Sequence, residues 1–144
     1  MAVIGFDLRS EANLETMTVD VLRTSAIEGE VLDQEQVRSS LARRLGLDVS
    51  GAPNTDRHVE GIVEMMLDAT QNCNGKLTAD RLFGWHAALF PTGRSGMLKI
   101  LVGKWRDDST GPMQVVSGPM RREKVHYQAP AVARLKKETS AFIN

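Results

Sequence analysis

A glutamate near the end of the first predicted helix falls on the apolar side of that helix. Leu14, Met17 and Val21 follow one another at spacings of three and four, and Ser25 and Glu28 continue the same stripe. A carboxylate on a face that packs into a core needs a cationic partner, because an unpaired buried charge is costly. The spacing places Glu28 on the buried stripe, where it would need such a partner; on spacing alone, a hydrated helix end at which Glu28 binds nothing is the favoured interpretation.

Metal and phosphate binding have weaker support. Cys73, His86 and His126 carry metal-binding side chains, but they share no short ligand spacing. We therefore predict no metal site and expect His86 to be a packed or hydrogen-bonded helix residue. The glycines that precede Lys99 lack the Gly-Lys-Ser/Thr ending of a phosphate-binding loop.

A helix-turn-helix is the second class of function that the sequence suggests. Arg38, Arg43 and Arg44 lie in residues 34–47, a segment that could serve as the first helix of such a motif. The helix that would read the bases carries acidic residues such as Glu60, which would face the phosphates with like charge. DNA binding is therefore disfavoured.

The elements that position these residues are mostly helices. Amphipathic spacing and capping residues predict five of them, over residues 10–29, 34–45, 56–72, 79–90 and 130–144. Residues 48–54 are predicted to be a loop. Between 93 and 112 the glycines leave room for a short turn of helix around 97–102 and a surface loop.

A β-hairpin is predicted over residues 113–127, where apolar and polar residues alternate on both sides of a turn at Gly118. Because an isolated two-stranded hairpin is marginally stable, we expect it to lie across the helical body with one edge free. Its tip carries Arg121, Arg122 and Lys124, which could meet an acidic target or a phosphate; a solvated tip is the simpler interpretation.

Composition agrees with a mainly α-helical domain that carries one hairpin. The 144 residues have no net charge and are 42% hydrophobic, which is enough for a single core. We expect a helical region over residues 1–50 and a second part over 51–144, forming one structural unit. The single Cys73 excludes an internal disulfide and fits the reducing cytoplasm, and no apolar run is long enough to span a membrane. A homo-oligomer is compatible with this composition.

Residues 24–30 read Thr-Ser-Ala-Ile-Glu-Gly-Glu, and this string resembles the inhibitory helix motif of the Fic family of protein adenylyltransferases. That motif has Ser or Thr, three further residues, Glu, and then Gly or Asn. Four other segments are similar to stretches of bacterial Fic proteins that carry an N-terminal inhibitory helix, and they follow in the same order. They are residues 37–47, 84–91, 113–118 and 125–130.

This resemblance implies a mainly α Fic-like fold and transfer of AMP from ATP to a hydroxyl side chain of a target protein. ATP and Mg²⁺ would be the cofactors of a complete protein. The family's catalytic segment, His-Pro-Phe-x-Asp/Glu-Gly-Asn-Gly/Lys-Arg, does not occur in the 144 residues. We therefore expect this chain to correspond to the N-terminal part of such a protein, with no catalytic residue or cofactor of its own and no activity alone. The alternative is a non-catalytic module that regulates or binds another protein.

The resemblance also implies roles for particular residues. Thr24, Glu28 and Gly29 match the inhibitory motif, in which the glutamate pairs with a γ-phosphate-binding arginine of the segment missing here. The hairpin over 113–127 matches the family's flap, whose free edge would bind the target protein by adding a strand. The expected flap contacts are Val115, Val116, Ser117 and Gly118.

Overall fold

The computed structural model describes residues 2–47, 54–107, 109 and 111–143, with side chains from Arg9 onward. This part of the chain forms five helices and two antiparallel strand pairs and is 54% helical, which confirms the predicted mainly α class with a hairpin. The helices are α1 (Ala2–Ile27), α2 (Gln34–Arg44), α3 (Arg57–Gln71), α4 (Ala79–Leu89) and α5 (Val132–Ile143). The strands are β1 (Arg94–Ser95), β2 (Leu98–Lys99), β3 (Gln114–Ser117) and β4 (Lys124–Gln128). Of the predicted loop over 48–54, only Asn54 lies within the described residues.

Three helices begin at the capping residues that the sequence indicates. The side chains of Asp33, Asp56 and Thr78 accept hydrogen bonds from backbone N–H groups in the first turns of α2, α3 and α4. Helix α1 begins earlier than predicted, at Ala2, so that Ser10 lies inside it. Residues 2–9 contain no proline, and therefore nothing stops the helix from extending toward the N-terminus.

The core lies between α1, α2 and α3. Its buried apolar residues are Leu14, Val21, Val37, Leu41, Ala42, Val59, Ile62, Val63 and Leu67. Thr18 is also fully buried, and its hydroxyl donates to the carbonyl of Leu14 at 2.7 Å, so that it adds no unsatisfied polar group to the core. Residues before and after position 50 contribute to this core, so the predicted parts 1–50 and 51–144 share one hydrophobic core.

The backbones of helices α3 and α4 contact each other directly at Gly61 and Ala88. A Cβ atom built on Gly61 would lie 1.8 Å from the carbonyl oxygen of Ala88, which is far inside any allowed contact. Glycine is therefore the residue that lets these two helices pack as closely as they do.

The segment after α4 differs from the prediction. In place of a turn of helix around 97–102, β1 and β2 pair with Ser95 opposite Leu98. The two-residue turn between them starts at Gly96, whose φ of +57° permits the tight hairpin geometry.

The second hairpin, β3–β4, forms where predicted, but the expectation that it lies across the helical body is wrong. Every residue from 111 to 128 is exposed. The chain then enters α5 at Val132, so Pro130 precedes that helix and does not lie in its first turn. Instead, the carbonyl of Pro130 accepts a hydrogen bond from Arg106. Helix α5 contains no buried residue, and Asn144, where it was predicted to end, lies outside the described residues.

Candidate functional site

The C-terminal end of α1 is a well-defined helix stop. The N–H of Gly29 donates to the carbonyl of Ala26, and the N–H of Glu30 donates to that of Ser25 at 2.9 Å. This pair of bonds is the Schellman arrangement, which requires a left-handed residue after the helix. Gly29 has a φ of +83°, and no described atom lies within 4 Å of the position of a Cβ on it. Its glycine is thus explained by backbone conformation and not by close approach of a neighbour.

Glu28 occupies the position between the last helical residue and Gly29, and it is exposed, as is Thr24. The prediction that Glu28 shares the buried stripe is wrong. The stripe ends at Ser25, which is 8% exposed, and the chain leaves helical geometry before another turn could bring Glu28 to the core. The carboxylate is therefore hydrated. Because it is not buried, it is stable without a cationic partner.

Glu28 has apolar neighbours that are also exposed. Ile27 is 82% and Val31 is 95% exposed, although both are large aliphatic residues. An acidic group flanked by two exposed aliphatic side chains can accept a cation and bury apolar area in the same contact. This end of α1 is one of the two surfaces for which the family resemblance implies a role.

The other surface is the hairpin β3–β4. Val115 lies opposite Tyr127 and Val116 opposite Val125, and all four side chains are about half exposed. The sheet has two strands in the described part of the chain, so each strand has one edge with no neighbouring strand. Such an edge can hydrogen-bond the backbone of an added strand.

The turn of this hairpin depends on Gly118. Its φ is +105°, and a Cβ there would lie 2.8 Å from the carbonyl oxygen of Arg122. Arg121 also has a positive φ, of 74°. The basic tip that contains Arg121, Arg122 and Lys124 is exposed throughout.

Sequence reasoning missed a contact between Ser117 and His126. The hydroxyl of Ser117 lies 2.6 Å from Nε2 of His126, and His126 is the extra residue of a β-bulge between the Val115 and Val116 pairs. A β-bulge changes the face of the hairpin on which a side chain lies, relative to regular alternation. The sequence indicates only the regular alternation, and for this reason the contact between Ser117 and His126 was missed.

A polar cluster joins α3 to α4, and sequence reasoning missed it as well. Asp68 accepts hydrogen bonds from Asn72, from Nε of Arg81 at 2.6 Å and from the indole N–H of Trp85 at 2.7 Å. These hydrogen bonds lower the pKa of Asp68 from its ordinary 3.8 to about 2. Arg81 also donates to three backbone carbonyls, those of Asp68 and Asn72 at the end of α3 and that of Gly75 in the loop that follows. The cluster caps one helix with the side chain of the next, which is a structural role.

The three candidate metal ligands lie in separate places. Cys73 is exposed in the turn after α3, and His126 contacts Ser117. His86 accepts a hydrogen bond from the N–H of Gly103 at 3.3 Å and packs against Phe90, as expected for a packed helix histidine.

The arginines of the possible helix-turn-helix are engaged in ion pairs with neighbouring helices. Arg38 pairs with Glu11 and Glu15 of α1. Arg43 and Arg44 pair with Glu60 of α3; burial raises the pKa of Glu60, but hydrogen bonds, that from Arg43 foremost, outweigh it and leave the pKa lowered. DNA phosphates would have to displace these carboxylates to bind, which adds to the case against DNA reading.

The family resemblance implies ATP and Mg²⁺ for a complete protein. Among the described residues no three His, Cys, Asp or Glu side chains lie close enough together to hold a metal ion. The sequence also lacks the family's catalytic segment. We therefore assign no residue of the chain to ATP or Mg²⁺.

Comparison with protein families gives a match over the N-terminal third of the chain. A domain of unknown function, DUF4172, matches residues 1–47, which comprise α1, the stop at Glu28 and Gly29, and α2. No curated protein matches the chain. None of the described helices has both the length and the apolar character needed to cross a bilayer.

Proposed function

We propose that this chain is the inhibitory and target-binding part of a Fic-type protein adenylyltransferase, an enzyme that transfers AMP from ATP to a hydroxyl of a target protein. The observation that carries the proposal is that residues 1–47 match DUF4172, a domain associated with Fic-like proteins, over the helix that ends in the Fic-like string Thr24 to Gly29. In this proposal Glu28 is the inhibitory group, and the flap hairpin is the target-binding edge.

The surroundings of Glu28 support this role in two ways. Ser25, three residues earlier, is buried in the core, and the Schellman bonds at Gly29 fix the backbone that follows. The backbone of Glu28 is therefore held at a defined position, and its side chain is exposed. A group that pairs with an arginine of another segment benefits from both properties, because a mobile backbone would lose further conformational entropy on pairing.

The hairpin supports the target-binding role through its exposed edges. Strand addition joins a target through main-chain hydrogen bonds, and it requires little of the target's sequence. Val115, Val116, Ser117 and Gly118 lie along β3 and at its end, where an added strand would contact them. The acceptor hydroxyl would be presented to a catalytic segment supplied from outside these 144 residues.

The decisive experiment measures AMP incorporation from α-labelled ATP. The coding sequence is expressed together with whatever follows codon 144, as wild type and as Glu28→Gly. We expect Glu28→Gly to raise incorporation on the order of tenfold or more, which corresponds to a coupling of about 1–3 kcal/mol. The matched control is Glu30→Gly, which removes a carboxylate two residues away and keeps the backbone N–H that bonds Ser25. Equal incorporation by wild type and Glu28→Gly, or none by either, contradicts the proposal.

A second candidate is a non-catalytic module that binds another protein through the hairpin alone. The exposure of Val115, Val116, Val125 and Tyr127 favours it, because each face of the hairpin then presents an apolar cross-strand pair to solvent. Here Glu28→Gly would leave partner binding unchanged and would confer no AMP transfer, whereas Tyr127→Asp would abolish binding. Tyr127→Asp should weaken binding under both candidates, so Glu28→Gly is the variant that distinguishes them: it raises AMP incorporation only in the first.

A further inference from the structure

The tip of the β3–β4 hairpin holds an arginine in an unfavourable backbone conformation. The N–H of Arg122 donates to the carbonyl of Pro119 at 2.9 Å, which closes a four-residue turn. Arg121 is the third residue of that turn; its φ is +74°, and it is the one described residue other than glycine with a positive φ. Turns with a positive φ at this position usually carry glycine or asparagine there. The chain therefore keeps an arginine where the backbone favours glycine.

The basic side chains of this tip have no partner among the described residues. Arg121, Arg122 and Lys124 are exposed, and no described carboxylate pairs with any of them. The carboxylate of Glu123 instead accepts a hydrogen bond from the backbone N–H of Arg121 at 3.2 Å. By contrast, the arginines of α2, α4 and α5 all pair with carboxylates. A strained residue whose side chain contacts nothing nearby indicates a contact made outside the described chain.

We propose that this tip binds acidic residues of the target protein, at one end of the strand that the target adds to β3. The inference rests on the proposed function, in which the edge of β3 binds the target. Ser117 ends β3 and the tip follows directly, so a segment paired with β3 has one of its ends beside the tip. The tip carries three cations and one carboxylate, and its net positive charge is complementary to an acidic segment.

The direction of β3 determines where in the target these acidic residues lie. The strand runs toward the tip, from Gln114 to Ser117. An antiparallel strand on its free edge runs away from the tip, so the N-terminal end of that strand lies beside the tip; antiparallel pairing is also the more stable and the commoner arrangement. The target segment therefore carries Asp or Glu immediately before the residues that pair with β3.

The test measures the binding of three labelled peptides to the 144-residue chain by fluorescence anisotropy. All three contain the same strand-forming run of alternating threonine and valine. One has three glutamates before the run, one has them after it, and the third has glutamines in place of the glutamates before the run. We expect the first peptide to bind about tenfold more tightly than the glutamine peptide, because several exposed ion pairs each contribute modestly. It should also bind severalfold more tightly than the second peptide, which has the same charge, and added NaCl should weaken its binding.

Two double variants separate the tip from general charge. Arg121→Gly with Arg122→Gln should weaken binding of the first peptide by about tenfold and leave binding of the glutamine peptide unchanged. Arg23→Ala with Arg57→Ala is the matched control, because it removes two exposed arginines of α1 and α3, and it should have little effect. Hydrogen exchange of the β3 and β4 amides verifies that the hairpin remains folded. In Arg121→Gly it should be as slow as in wild type or slower, because glycine relieves the strained turn.

The proposal is overturned if the first peptide binds no more tightly than the other two, or if the tip and control variants weaken it equally. Faster hydrogen exchange in Arg121→Gly contradicts the strained turn and overturns it too. A tip that binds a single-stranded oligonucleotide or phosphatidylserine vesicles, but not the first peptide, is a phosphate site, which also overturns it. None of these measurements requires AMP transfer. Failure here is therefore distinguishable from failure of the proposed function, which the AMP incorporation of Glu28→Gly reports.

Discussion

The contact between α3 and α4 gives a sharp prediction for Gly61→Ala. The added Cβ would lie 1.8 Å from the carbonyl oxygen and 2.6 Å from the carbonyl carbon of Ala88. Carbon and oxygen atoms rarely approach closer than about 3.3 Å, so the two backbones must separate by roughly 1.5 Å at this point. The displaced groups are backbone atoms of packed helices, and no flexible side chain can move aside.

The expected cost follows from two opposing effects. Overpacking of a well-packed contact costs about 1–3 kcal/mol, and alanine recovers about 0.5–1 kcal/mol of helix propensity relative to glycine. We expect a net loss of about 1–2 kcal/mol, which lowers the melting temperature by roughly 3–8 °C in a domain of this size. Separation of the helices should also weaken the bond between the Trp85 indole and Asp68, which tryptophan fluorescence reports.

Gly84→Ala is the matched control for this experiment. Gly84 lies inside α4, and no atom lies within 4 Å of the position of its Cβ. Alanine there should raise stability by about 0.5–1 kcal/mol. If thermal denaturation shows Gly61→Ala to be as stable as Gly84→Ala, the inferred backbone contact between α3 and α4 does not exist.

Two further predictions concern pH and nucleotide. The pKa of Asp68 is lowered to about 2, so the stability that its carboxylate contributes is present above pH 3.8 and is lost as the pH falls toward 2. Melting curves between pH 5 and pH 2 should fall more steeply for wild type than for Asp68→Asn, while Asp20→Asn should follow wild type; equal slopes for all three would refute the role of the cluster. Because the sequence lacks the Fic catalytic segment, ATP with Mg²⁺ should leave the melting temperature of the 144-residue chain unchanged in differential scanning fluorimetry. A concentration-dependent rise would show a nucleotide site that we have not assigned.

The helices could be predicted from the sequence because their signals are local. Asp33, Asp56 and Thr78 begin their helices through bonds to N–H groups two or three residues away. The apolar stripe of α3 likewise comes from spacing within fifteen residues. These features need no knowledge of the rest of the fold.

The features that sequence reasoning missed depend on contacts between elements. Asp68 and Arg81 are thirteen residues apart, and nothing in either helix alone indicates that they meet. The β-bulge at His126 likewise depends on the register of two strands. Glu28 was misplaced for a different reason, because helical periodicity extends a stripe past the point at which Gly29 ends the helix.

That helix end also links the core to the proposed regulation. The backbone at Glu28 is set by Ser25 in the core and by the Schellman bonds at Gly29, so the point from which its side chain extends cannot move without α1 moving on α2 and α3. In the proposed function, inhibition then depends on the packing of the core as well as on the glutamate itself. A variant such as Leu41→Ala, at a fully buried position of α2, costs about 2–5 kcal/mol of packing. Such a variant would weaken the packing of α1 against α2 and relieve inhibition, although Glu28 is still present. A flexible acidic tail would inhibit equally well in this variant, so the loss of inhibition distinguishes a positioned inhibitory group from such a tail.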